Sequence, residues 1–123
     1  MTKAQEVGRA GEEFAAGWLQ DRGFTVLERN WRCAKGELDI VALDTGTGEV
    51  VAVEVKTRTG SGFGFPAEAV DRAKLRRLHL LVREFAASPG VPRVGRRVDV
   101  LALLWPAHRS APEAIDHYIG VTP

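Results

Sequence analysis

Two carboxylates and an amine carry most of the chemical content of this chain: Asp39, Glu54 and Lys56. Glu54 and Lys56 occupy alternate positions in a valine-rich run, Val50 to Lys56. Strand alternation puts both on one face with Ala52, while Val51, Val53 and Val55 take the other. A carboxylate two residues before a lysine is not informative by itself. With 16 acidic residues and four lysines, chance alone supplies roughly 0.5 such pairs, so placement has to carry the argument. In the preceding run, Glu37 to Leu43, the apolar set is Leu38, Ile40 and Ala42, and Glu37 and Asp39 point the other way. Thr45-Gly46-Thr47-Gly48 between the runs is turn chemistry. A hairpin symmetric about Gly46 and Thr47 pairs residues whose numbers sum to about 93. Leu38 then faces Val55, Ile40 faces Val53, Ala42 faces Val51, and Asp39 faces Glu54. A slip of one residue would set apolar groups against charged ones. Parity alone leaves a slip of two residues, or a bulge, open.

Directly paired residues have Cβ atoms about 4.5–5.5 Å apart, so two carboxylates placed this way repel. A divalent cation between them removes the conflict. Mg²⁺ or Mn²⁺ suits oxygen ligands and keeps waters that a substrate phosphate can replace. A backbone carbonyl next to Glu54 could complete the shell. Lys56 could orient or deprotonate an attacking water, or neutralise charge on a phosphate. Glu12 is a fourth candidate: on a helical wheel it borders the apolar stripe of the first helix, whereas Glu13 projects to the far side. Each element has a plainer reading. The strand face could carry scattered surface charges, Glu12 could be an ordinary helix charge, and Glu37 could be solvated or bound to a basic neighbour.

Other reactive residues form no competing constellation. His79, His108 and His117 lack metal-ligand spacing and read as surface or satisfied histidines. Cys33 is the only cysteine, which excludes an intrachain disulfide and a cysteine-based zinc site. Ser61 lacks the strand-turn-helix setting of a nucleophile elbow. The Gly60–Gly64 stretch lacks the lysine of a phosphate-binding loop. It reads as a linker or as a flexible flap beside the metal, in which Phe63 and Phe65 could wedge between bases or pack on the core.

These residues need a scaffold, and its elements are legible. From about Ala4 to Arg22, Val7, Gly11, Phe14 and Trp18 recur at helical spacing, with Gly23 as the stop. Thr25 to Arg32, Glu37 to Leu43 and Val50 to Lys56 read as strands. Thr57 to Phe65 reads as a loop. A second helix begins near Pro66 and runs to about Ala87, with Val70, Leu75, Leu78, Leu81, Val82 and Phe85 inward. Val98 to Leu104 is an apolar strand and Ala114 to Val121 an edge strand. The order α-β-β-β-α-β-β predicts an α/β fold: a mixed sheet of about five strands flanked by helices.

The chain's 123 residues suit a single domain spanning 1–123, and its 45% hydrophobic and 27% charged composition is ordinary for a globular protein. No apolar run could span a bilayer and no signal-peptide core is present, so a cytoplasmic protein is expected. Net charge is only +1, which weighs against nonspecific coating of nucleic acid. The charge is uneven, however. Arginines and lysines gather in Arg29–Lys35, in Arg72–Arg83 and in Arg93–Arg97, while acids concentrate around the central strands and first helix. A local acidic site within basic surroundings suits a metal held beside a phosphate backbone. Taken singly, those arginines are ordinary solvated positions.

Gly8-Arg9-Ala10-Gly11-Glu12, Gly36-Glu37-Leu38-Asp39, Val53-Glu54-Val55-Lys56-Thr57-Arg58, and Phe63-Gly64-Phe65-Pro66 with Glu68-Ala69-Val70 resemble the motifs of the bacterial YraN family. The match covers nearly the whole chain, from about residue 5 to residue 121, with the motifs in order. That family is described as Holliday-junction-resolvase-like, within the PD-(D/E)xK nuclease superfamily. The resemblance implies a restriction-endonuclease-like core, with Asp39, Glu54 and Lys56 as catalytic acid, second acid and lysine, and Glu12 as the helix glutamate. The superfamily's proline is absent, because Leu38 precedes Asp39. The resemblance also implies that the chain can act as a homodimer, the form in which such resolvases work.

Three functions follow. The first is a Mg²⁺- or Mn²⁺-dependent endodeoxyribonuclease that hydrolyses phosphodiesters of branched or structured DNA, with Arg58, Arg72, Lys74, Arg76 and Arg77 holding phosphates. The second is a nucleic-acid-binding module of repair or recombination without turnover. The third is a protein-interaction domain using Trp18, Trp31 and Trp105.

Overall fold

In the computed structural model, residues 1–60, 70–91 and 94–123 are described. The elements run α1 (Lys3–Gln20), β1 (Phe24–Cys33), β2 (Gly36–Asp44), β3 (Glu49–Arg58), α2 (Arg72–Ala86), β4 (Arg96–Leu104) and β5 (Ala114–Tyr118). The expected α/β class and element order are therefore the observed ones. The readings of Ser61, Phe63, Phe65 and a helix start at Pro66 fall outside the described residues.

The five strands form one sheet in sequence order, β1-β2-β3-β4-β5. Neighbours are antiparallel except β3 and β4, which are parallel and joined through α2. As the middle strand, β3 is buried on both faces: Val51, Val53 and Val55 pack in the α1 cluster, and Val50 and Ala52 in the α2 cluster. One helix thus covers each face. That burial makes β3 a near-continuous valine run and gives any charge on it a dry setting.

Local chemistry sets the helix ends. Thr2 and Gln5 form a reciprocal capping box at the start of α1, with backbone-to-side-chain bonds of 2.9 and 3.1 Å. Gly23, at φ +87°, turns the chain after it. Asp71 caps α2 by accepting from the Lys74 N–H at 2.8 Å. Val70 and Asp71 are therefore not helical, which corrects a helix continuous through them, and β3 continues through Thr57 to Arg58, beyond its expected end at Lys56. Its apolar stripe is the expected one, with Leu75, Leu78, Leu81, Val82 and Phe85 buried.

The stripe of α1 differs from expectation. Gly11, Ala15, Ala16 and Leu19 are its buried residues, while Val7, Phe14 and Trp18 flank them half-buried. Small side chains take the centre because the helix lies close on β3. A Cβ at Gly11 would come within 2.0 Å of Thr57 Oγ1 and 3.1 Å of Thr57 Cβ. At the far edge, β5 ends at Tyr118 rather than Val121, where Gly120 adopts φ +68°.

Candidate functional site

The hairpin register is the expected one where the strands are paired: Ile40 opposes Val53 and Ala42 opposes Val51. Beyond Ile40 the β2–β3 ladder stops, so the anticipated pairs Leu38–Val55 and Asp39–Glu54 do not form. β2 instead stays with β1, and the two strands leave β3 together. Leu38 consequently packs in the α2 cluster while Ile40 and Ala42 pack in the α1 cluster, which corrects the assignment of all three to one face. Across from Asp39 in β1 lies Asn30 at φ +52°, a left-handed backbone that asparagine tolerates better than most residues.

Asp39 sits at this fork. Its Oδ2 accepts the Val55 N–H at 3.0 Å, a donor the β2–β3 ladder has released. Glu54, next to Val55, has a side chain only 5% exposed. Glu54 is the acid that acts most strongly on Asp39. The sequence therefore anticipates the meeting of the two acids, but by a different geometry: a side chain entering a gap between strands rather than a cross-strand pair.

Electrostatics at the fork are unbalanced. Burial, then the neighbouring Glu54 carboxylate and, more weakly, Glu12, push Asp39 from 3.8 up to about 7, against the Val55 hydrogen bond. Glu12 is also raised, by burial first and then by Glu37 and Glu54, against Arg29 and Arg9. Asp39 thus faces carboxylates on both sides of the sheet: Glu54 on the α2 side and Glu12 from α1. Glu37 pairs with Arg32 at 3.0 Å, the basic neighbour foreseen for it. Glu12 and Glu37 line a groove of about 760 Å³ with Arg9, Arg29 and Arg32.

Two lysines answer the acids, and both choose Glu54. Lys56 Nζ lies 3.5 Å and Lys74 Nζ 3.2 Å from Glu54 Oε2. Lys56 comes from the same strand face, as alternation requires. Lys74 descends from the first turn of α2, so a residue expected only to hold phosphates is part of the acidic centre. Arg58, Arg72, Arg76 and Arg77 are exposed and pair with no carboxylate among the described residues.

A divalent cation can be tested against this donor set. Among the described residues no three His, Cys, Asp or Glu side chains converge as a complete chelate. Glu12 is an electrostatic neighbour of the acid pair and does not close a chelating trio with it. Two neighbouring carboxylates whose oxygens face one gap, with Lys56 and Lys74 able to yield Glu54, still fit a hard ion that keeps several waters, the usual habit of Mg²⁺. Asp39 and Glu54 would hold it.

A second buried charge cluster went unread in the sequence. Asp99, fully buried, accepts from Arg97 at 2.8 and 2.9 Å and from the Gly120 N–H at 2.9 Å, and lies 2.8 Å from His117 Nε2. Burial pushes Asp99 up, but the bonds from His117, Arg97 and Gly120 outweigh it and leave the carboxyl below its usual value. Arg97 also reaches Asp44 at 3.0 Å and Glu49 at 2.9 Å, so it locks the hairpin turn to β4 and β5 rather than extending a surface basic patch. The i, i+2 pair Arg97 and Asp99 on one strand was the only signal available. His79 is likewise satisfied, 2.8 Å from the Val121 carbonyl.

Fold and site together define a small α/β protein with an acidic pair and two lysines where a mixed sheet forks. A profile of the uncharacterised protein family UPF0102 matches residues 11–103, and the chain belongs to that family. A UPF0102 protein of Clavibacter michiganensis subsp. michiganensis is 50% identical over 106 residues, covering 86% of this chain and 88% of the relative. One from Beutenbergia cavernae is 43% identical over 121 residues, covering 98% and 99%. One from Mycolicibacterium smegmatis is 46% identical over 121 residues, covering 98% and 95%. No helix among the described residues is long and apolar enough to cross a membrane.

Proposed function

We propose that this protein is a metal-dependent endonuclease of branched or structured DNA, in which Asp39 and Glu54 hold Mg²⁺ or Mn²⁺ and Lys56 and Lys74 flank the scissile phosphate. The observation that carries the reading is the contact of two carboxylates at the sheet fork, one of them held near neutrality by burial and by the other. Strongly shifted carboxyl groups of this kind cluster at functional sites, because burying two acids side by side costs stability that the Val55 N–H and the two lysines only partly offset. The bound cation would supply charge neutralisation at the phosphate and activation of water. The chain's own residues supply the rest. The Val55 N–H fixes Asp39, burial fixes Glu54, and Lys56 offers an ammonium beside Glu54 that can meet charge developing on the phosphate. Arg58, Arg72, Arg76 and Arg77 stand exposed on the α2 side, and Arg9 stands exposed on the groove side, where they can hold the phosphates of a strand passing the fork. Arg29, also in the groove, is half-buried and paired with Glu13 at 2.7 Å. The resemblance of the motifs to resolvase-like nucleases supports the same substrate class, action as a homodimer, and work in the cytoplasm.

The test is cleavage of four-way junctions, flaps and single strands with Mn²⁺. Asp39→Asn and Glu54→Gln should each lower turnover by at least about a hundredfold while junction binding persists. Wild-type protein inert on every substrate would sink the reading. Binding that persists without turnover would leave the chain a nucleic-acid-binding module.

A further inference from the structure

Lys74 departs most from what its position on a basic helix suggests. It is the closer of the two ammonium groups on Glu54, at 3.2 Å against 3.5 Å for Lys56, and it is supplied by α2 rather than by the strand. Its own backbone N–H is bound by Asp71, which fixes the first turn of α2 over the acid. Glu54 is nearly sealed from solvent, whereas Lys74 is 41% exposed. Long lysine side chains keep mobile heads on flexible stems, so Lys74 can leave Glu54 at little cost while Glu54 cannot move. Asp39, in contact with Glu54, receives no ammonium group among the described residues. The pairing is therefore lopsided: among the described residues two cations crowd one acid and none reaches the other.

Resting on the nuclease reading, we propose that Lys74 is a resident counter-charge that holds the place of the divalent cation at Glu54 and is handed to the substrate phosphate when the cation enters. An ammonium and a divalent ion compete for the same Glu54 oxygen, so Lys74 weakens cation binding in the DNA-free protein. Once displaced, it stands beside the acidic centre with its charge free for a phosphate oxygen. Cation and DNA then favour each other's binding, because each removes the partner that opposes the other. Lys74 thus contacts the substrate only after the cation has displaced it, while Lys56, tethered two residues from Glu54, stays with the acid throughout.

The test uses the full chain and two probes, Mn²⁺ alone and a four-way DNA junction with Ca²⁺. Calorimetry without DNA should show Lys74→Met binding Mn²⁺ at least roughly fivefold more tightly than wild type, with Lys74→Arg close to wild type. Adding Ca²⁺ should tighten junction binding by wild type roughly fivefold or more and by Lys74→Met much less. Because Lys74 is partly exposed, circular dichroism should show Lys74→Met folded. Mn²⁺ affinity unchanged or weakened in folded Lys74→Met overturns the proposal. If Asp39→Asn still loses Mn²⁺ in that case, the acid-pair site survives and only the role of Lys74 fails. If Asp39→Asn and Glu54→Gln bind Mn²⁺ like wild type, the site itself is wrong and the proposal falls with it.

Discussion

Asp39 couples the candidate chemistry to the stability of the fold. Its carboxyl titrates near 7 in the folded chain against 3.8 in the open. Between these values the folded state holds a proton that the unfolded state has released. By linkage, this site's contribution is fully present below about pH 4 and is lost as pH rises toward 7. Asp39→Asn keeps the neutral form at every pH. The amide oxygen can still accept from Val55, and its NH₂ can donate to Glu54 as the protonated acid would. The variant should therefore melt about 5 °C above wild type at pH 8 and close to it at pH 4, on the order of 1–2 kcal/mol. Comparing the two chains at each pH cancels Asp99 and Asp44, whose lowered values act in the opposite sense, losing stability as pH falls. Mn²⁺ at pH 8 should raise the melting temperature of wild type and leave that of the variant unmoved. Parallel pH profiles for the two proteins, measured by scanning calorimetry, would show that Asp39 is not a strained carboxyl.

At the scale of elements, the site depends on how closely α1 lies on β3. Gly11 makes that approach possible, since the hydroxyl of Thr57 occupies the space a methyl group would need and is itself buried without a partner among the described residues. Gly11→Ala should destabilise the fold by about 1–3 kcal/mol, the range for overpacking, despite the better helix propensity of alanine. Thr57→Ala in the same chain should recover part of that loss, giving a favourable coupling in a denaturant-melting cycle. Additive losses would mean that α1 yields without touching Thr57. Similar contrasts explain which parts of the architecture were legible. The apolar stripe of α2 and the pairing of Ile40 with Val53 follow from periodicity, because each depends on one element or one turn. The fork after Ile40 does not. It arises from the joint departure of β1 and β2 and from Asn30 in a left-handed conformation, and period-two alternation extrapolated through Asp39 misses it. The pairing of Lys74 with Glu54 was hidden for the same reason: a helical wheel sorts inside from outside but cannot say which strand residue lies beneath the first turn.

For the whole molecule, a net charge of +1 provides little long-range attraction for DNA, so affinity has to come from where the cations stand. Arg97, which sequence grouping assigned to a basic patch, is spent on Asp44, Glu49 and Asp99, whereas Arg72, Arg76 and Arg77 are exposed on α2, the helix that also delivers Lys74 to Glu54. This distribution separates binding from chemistry. Each arginine that neutralises one phosphate contributes about 0.9 to the slope of log affinity against log salt on duplex DNA. The triple variant Arg72→Ala, Arg76→Ala, Arg77→Ala should therefore bind a four-way junction with a salt dependence shallower by roughly 2.5, read by fluorescence anisotropy between about 50 and 200 mM salt. Asp39→Asn, which alters the acid pair and leaves that face intact, should keep the wild-type slope. A triple variant with an unchanged slope would move the DNA track off α2 and toward the groove of Arg9, Arg29 and Arg32. Salt-insensitive, weak binding by the wild type would instead favour the protein-interaction reading, because no arrangement of phosphate contacts is compatible with a flat salt response.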